Sequence, residues 1–298
     1  MSDHESGAIR DHGTEEPIEG GYVWIDVDDC PHRIYYERAG SGERPLVCLH
    51  TAGADSRQWR HVLNDPEILD RFTVYAFDLP WHGRSFPPMD ERTDWRDDAY
   101  RLTTEAYADH IVSVVETLDI EEPEPAVLGC SMGGAIVLEL AHAHANRFCG
   151  VVGVESTAFA PKRDLGYLGD PSINAEVVRG EWAEGLQAPN SPDRFKRESW
   201  WVYAQGGPGV YTGDLYFYAT DWDGREKITE IDTDACSVHL LTGEYDYSAL
   251  PEDTRSVAEE IDGATVEIMD GLGHFPMVEN PSAFREYLLP ALESIAAE

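Results

Sequence analysis

Lysine is nearly missing from this chain. Of 22 basic residues only Lys162, Lys196 and Lys227 are lysines, against 57 aspartates and glutamates, and the formal charge is −35 at pH 7. A field of that sign disfavours nucleic acid and anionic membrane surfaces as partners. The carboxylates are spread along the whole sequence rather than gathered in one patch, which points to the medium more than to a binding face. A salt-rich cytoplasm, where the Debye length at 1 M is about 3 Å, screens such self-repulsion, so a halophilic source is expected. No run of 18 apolar residues occurs, which argues against a membrane span. The acidic stretch 1–19 has neither the apolar core of a secretory leader nor the composition of a transit peptide, and reads as a disordered tail. Close cysteine pairs are absent too. Cys30, Cys48, Cys130, Cys149 and Cys236 are odd in number and match no zinc spacing, so a reduced, cytoplasmic setting is expected. There are no internal repeats.

What is present is an alternation of strand and helix signals. Tyr22–Val27 and Arg33–Arg38 alternate apolar and polar residues around a turn at Asp28–Pro31. Short apolar strands are predicted at Leu46–His50, Phe72–Phe77, Ala126–Gly129, Val151–Glu155, Ser237–Thr242 and Val266–Met269. Ser56 can cap a helix running through Trp59 and Leu63, and further helices are predicted over 104–118, 135–145 and 282–295. This order implies a mostly parallel sheet covered by helices on both faces. Between Phe159 and Asp234 the alternation lapses into a stretch rich in tryptophan and tyrosine. We divide the chain into the tail 1–19, an α/β core of 20–159 and 235–298, and an inserted helical cap of 160–234.

The run Ala126-Val127-Leu128-Gly129-Cys130-Ser131-Met132-Gly133-Gly134 carries most of the functional information. A strand running into Gly-x-Ser-x-Gly and then a helix is a nucleophile elbow, whose glycines permit a turn tight enough to present the serine hydroxyl. A hydroxyl becomes a useful nucleophile only when a base takes its proton and a third group orients that base. The strand at 237–242 runs into Glu244 and Asp246, and the strand at 266–269 runs into His274. Each therefore lies beyond the carboxyl end of a parallel strand, where such sheets gather their sites. Glu155 and Glu244 compete with Asp246 for the acid role. Cys130 should point into the sheet.

These segments, with LVCLHTAG at 46–53, FDLPWHGRS at 77–85, GCSMGG at 129–134, LLTGEYD at 240–246 and GLGHFPMVENP at 271–281, resemble the α/β-hydrolase superfamily, in particular its cap-bearing esterases and lactonases. The likeness covers about residues 20–298. It implies an eight-stranded, mostly parallel sheet with Ser131 as nucleophile, His274 as general base and acid, and Asp246 orienting the imidazole. It also implies an oxyanion hole made by the backbone N–H groups of Met132 and Ala52. Two positions depart from the family pattern. Thr51 stands where a glycine usually follows His50, and Trp81 occupies a glycine position in the loop 78–85. Relatives that open epoxides or remove halogens carry Asp at the nucleophile position, which Ser131 argues against.

The expected activity is hydrolysis of a small or medium apolar ester, thioester or lactone through an acyl-enzyme, with no cofactor and no metal. Alternatives are carbon–carbon cleavage of ring-fission diketones, a cofactor-free lyase or perhydrolase, and a ligand receptor that turns over slowly. A homodimer stays open. Trp200, Trp201 and Trp222 are candidate pocket residues, with His50, Trp81 and Phe275 as further substrate contacts. Arg197 is the first candidate for a cation facing Ser131, and Asp78 is expected to brace its own loop.

Overall fold

The computed structural model describes residues 15–88, 99–160, 168, 170 and 172–297. Most of the expected tail, 1–14, lies outside the described residues. Eight strands form one sheet in the order β1-β2-β4-β3-β5-β6-β7-β8. β1 (Glu19–Val27) and β2 (Cys30–Ala39) make an antiparallel hairpin, and β2 runs antiparallel to β4 as well. The hairpin closes more tightly than expected, with Val27 opposite Cys30. Asp28 and Asp29 take φ of 56° and 55°, the left-handed pair that matches strand twist in a two-residue turn. Pro31 thus sits within β2 rather than in the turn. It is tolerated there because β4 pairs only with residues 36–39, so the other edge of β2 is open at Pro31.

The remaining strands, β3 (Arg44–Leu49), β4 (Phe72–Phe77), β5 (Ala126–Cys130), β6 (Gly150–Val154), β7 (Ser237–Gly243) and β8 (Thr265–Met269), are parallel. Every residue of β5, β6 and β7 is buried, as expected of strands covered on both faces. Alternate side chains feed two separate cores. Val47, Leu49 and Val127 join one, whereas Leu46, Cys48 and Leu128 join the other.

The helix expected from Ser56 through Leu63 does not form. Asp55, not Ser56, caps a single 3-10 turn at Ser56–Trp59, its carboxylate accepting from the Arg57 N–H and pairing with the Arg57 guanidinium at 2.5 Å. A second 3-10 turn covers Val62–Asn64. The chain then leaves helical backbone at Asp65, as residues before proline do, and α1 (Pro66–Arg71) starts afresh. α2 (Thr104–Thr117) is capped by Thr103. α3 (Met132–Ala143) begins three residues earlier than the periodicity suggested, because the elbow passes straight from strand to helix.

Between β6 and β7 stand α4 (Ala175–Gly185), α5 (Asp193–Tyr203) and α6 (Val210–Tyr216), followed by a π-helical turn at Phe217–Asp221. α7 (Pro251–Glu260), α8 (Pro276–Glu279) and α9 (Pro281–Ala297) complete the fold. Among the described residues no helix is long and apolar enough to cross a membrane.

Candidate active site

The turn at Ser131 is built by close backbone approach. Ser131 takes φ 56° and ψ −108°, a region L-residues rarely adopt, and its N–H bonds the Val154 carbonyl at 2.9 Å. A Cβ on Gly129 would stand 2.2 Å from the Gly133 carbonyl oxygen, and one on Gly133 2.6 Å from that of Leu49. Glycine at both positions is therefore a packing requirement. The hydroxyl it presents is 3.0 Å from His274 Nε2.

His274 lies in the loop after β8, where its N–H donates to the Leu186 carbonyl at the end of α4. Its Nδ1 is 2.7 Å from Asp246 Oδ2, while Asp246 Oδ1 accepts from the amides of Ser248 and Ala249. Both side chains are buried. Burial alone would raise the Asp246 pKa. The charge and hydrogen bond of His274, with the other donors, outweigh it and hold the carboxyl below its ordinary value. The two competing acids lie elsewhere. Glu244 is exposed and accepts from the Gly271 amide. Glu155 is fully buried beside Asp246 and shares a hydrogen bond with it, while accepting from Thr242 Oγ1 and the Gly243 amide. Burial, then the Asp246 charge, push the Glu155 pKa well up, so Glu155 is the neutral member of the pair.

The loop after β3 lies across from the elbow. Its Thr51 amide donates to Gln58 Oε1, its Gly53 amide to Asp214 Oδ2 at 2.6 Å, and its Ala54 amide to the Thr51 carbonyl. Among the described residues the Ala52 N–H has no such partner, and Ala52 lines the cavity with Ser131. Met132 is the first residue of α3, where backbone N–H groups have no partner within the helix. The Thr51 hydroxyl bonds Gln58 and, at 2.5 Å, the Tyr203 hydroxyl, tying this loop to α5.

His50 does not face the cavity. Its Nε2 accepts from the Leu79 amide, so its Nδ1 carries the proton and donates to the Thr51 carbonyl. Burial and the neighbouring His82 hold its pKa at about 4, and the neutral ring joins two loops. Trp81 is not among the residues lining the cavity either. Its φ of 74° explains why a glycine usually serves there, and its indole leans on Tyr100 outside the cavity lining. Asp78 braces its loop by accepting from the amides of Ser56 and Arg84.

A cavity of about 40 Å³ lies over Ser131. Phe275 lines it, and none of the three tryptophan candidates does. Trp201 is 60% exposed, Trp200 donates to Glu181, and Trp222 is buried in the core with its indole N–H on the Thr157 carbonyl. Arg197 is exposed as well. The lining comes instead from one stripe of α4 and its C-cap (Arg179, Trp182, Ala183 and Leu186), with Tyr203, Tyr211 and Tyr218 from the elements that follow. The spacing 179, 182, 183, 186 is one helix face, a signal visible in the sequence but shared with ordinary core packing. Among the described residues no cluster of His, Cys, Asp and Glu could hold a metal.

A dihydrolipoyllysine-residue acetyltransferase component of an acetoin cleaving system from Cupriavidus necator is 31% identical over 158 residues. That match takes in 53% of this chain and 38% of the other, so the chain spans well under half of that relative's length. A pimeloyl-[acyl-carrier protein] methyl ester esterase from Sodalis glossinidius is 25% identical over 278 residues, 86% of this chain and 96% of that one. Two solved structures share the fold. A thermophilic esterase from Thermogutta terrifontis superposes with a TM-score of 0.77 at 18% identity, covering 93% of this chain and 99% of its own. An enol-lactonase from Burkholderia xenovorans gives 0.76 at 19%, covering 91% and 100%. The model of the alpha/beta hydrolase family matches residues 46–287, and the chain belongs to that family.

Proposed function

We propose that the protein is a serine hydrolase of small or medium carboxylic esters or lactones, working through an acyl-enzyme. The observation that carries this reading is one unbroken relay, Ser131 Oγ to His274 Nε2 at 3.0 Å and His274 Nδ1 to Asp246 at 2.7 Å, on a serine held at φ 56°. Ser131 attacks the carbonyl while His274 Nε2 takes its proton. Asp246 keeps the Nδ1 proton in place and stabilises the imidazolium that forms. The developing oxyanion is met by the Ala52 and Met132 N–H groups, each donor typically worth about 100–1000-fold in rate. His274 then protonates the leaving alcohol, and a water attacks the acyl-enzyme under the same base. Trp182, Leu186 and Phe275 offer apolar contacts to the chain of the acyl group, and we read the described residues of 160–234 as a lid over the nucleophile. The relatives named as a methyl ester esterase and an enol-lactonase support the same bond type.

A series of p-nitrophenyl esters in molar salt tests the proposal. Turnover should be measurable in the parent protein and fall on the order of 10⁵-fold in Ser131→Ala. Equal rates in the two proteins would favour a binding protein instead.

A further inference from the structure

Ester hydrolysis does not require a cation in the cavity, yet one is there. Arg179, on the cavity face of α4, is only 3% exposed and lines the same space as Ser131 and His274. Its hydrogen bonds among the described residues both leave from Nη2, to the Gly206 carbonyl at 3.3 Å and to Glu176 at 3.4 Å. The buried Nε–H has no partner among the described residues. Other arginines here behave differently. Arg57, Arg147 and Arg225 each meet a carboxylate at 2.5–2.6 Å. Glu176 is a poor substitute, since it touches one nitrogen from the outside and is itself 45% exposed. Burial pulls the Arg179 pKa down, the mark of a charge removed from water without full compensation.

A guanidinium with unused donors recognises carboxylates, because its planar fork can make two parallel N–H···O bonds. We propose that Arg179 anchors a carboxylate carried by the substrate, making the preferred substrates half-esters of dicarboxylic acids or lactones that bear a carboxylate. The inference rests on the hydrolase reading of the same cavity and narrows its substrate class. Gly206 ties the guanidinium to the oxyanion loop. Its carbonyl accepts from Arg179, and a Cβ on it would stand 3.0 Å from the Gly53 carbonyl oxygen. Arg179, Ser131 and His274 line one cavity, so the anion is held on the same molecule as the reacting carbonyl. The chain's charge of −35 does not contradict this, because salt screens the bulk field while the enclosed guanidinium acts at contact.

The test compares kcat/KM for monomethyl esters of succinate, glutarate and adipate with the matching carboxamide esters. The parent protein should prefer at least one half-ester over its carboxamide by about 10–100-fold, the range expected for a charged hydrogen-bonded pair. Arg179→Met should bring that ratio close to one, and Arg179→Lys should retain part of it. Calorimetric binding of the free dicarboxylates to Ser131→Ala, with and without Arg179→Met, gives a readout independent of turnover. Arg179-dependent binding supports the anion site even if no ester is cleaved, in which case only the hydrolase reading falls. A ratio near one in the parent protein, a ratio unchanged by both Arg179 variants, or no Arg179-dependent binding overturns the inference while leaving ester hydrolysis intact.

Discussion

Glu155 and Asp246 are two buried carboxyls in hydrogen-bond contact, and two negative charges cannot share that space cheaply. The proton resides on Glu155, whose pKa is raised, while Asp246 stays ionised next to His274. Glu155→Gln is therefore an isostere of the resident form, able to donate to Asp246 and accept from the Gly243 amide. A raised folded pKa means that stability from Glu155 is full below its unfolded pKa and is lost as pH rises toward the folded one. The difference in melting temperature between Glu155→Gln and the parent should accordingly shift in favour of the variant as pH goes from acid to neutral. Activity should fall less than about tenfold. A shift of the opposite sign would mean that Glu155 is ionised and that the charge assignment is wrong. The sequence left Glu155 and Asp246 as rivals, since both follow a parallel strand. Three-dimensional contact separates them, because His274 Nδ1 meets Asp246 and Glu155 stands behind it.

At the scale of elements, α6 and the loop after β3 are joined by a single carboxylate. Asp214 accepts from the Gly53 amide, from the Tyr100 hydroxyl and from His82 Nε2, all in the interior. Burial would lower the His82 pKa, but the Asp214 charge prevails and raises it, making this a buried ion pair. Weakening such a pair leaves a buried charge uncompensated, at about 3 kcal/mol. Asp214→Asn should be destabilised by roughly that amount in denaturant melts. It should also lower kcat about 10-fold or more, with a smaller change in KM, because the adjoining Ala52 amide loses its fixed direction. Unaltered kcat would show that the Asp214 contact does not position the loop. Nothing in the sequence marked Asp214, one of many acidic residues in a stretch of irregular pattern. The elbow strand and Phe72–Phe77 were legible because buried parallel strands read as continuous apolar runs. The Ser56 segment was not, since local Asp55 and Arg57 contacts and the break before Pro66 override its helical spacing. Neither was the orientation of the tryptophans, because an aromatic in the stretch between β6 and β7 looks the same in sequence whether it faces the cavity, the core or water.

For the whole molecule, 57 acidic residues against 22 basic ones leave much repulsion unpaired. Several arginines are held in surface ion pairs, such as Arg38 with Glu19 and Arg71 with Glu293, which contribute little each. If the charge reflects adaptation to salt, the melting temperature should climb steadily as KCl increases and the Debye length shrinks from about 10 Å to about 3 Å. A flat profile would remove that explanation. All of the proposed chemistry depends on Ser131 being made reactive by His274, and the most direct test is mass-spectrometric mapping of a fluorophosphonate adduct. The account predicts one adduct, on the peptide containing Ser131, formed quickly in the parent protein and lost in His274→Ala. An unlabelled Ser131 in folded protein, or labelling at the same rate without His274, would contradict it.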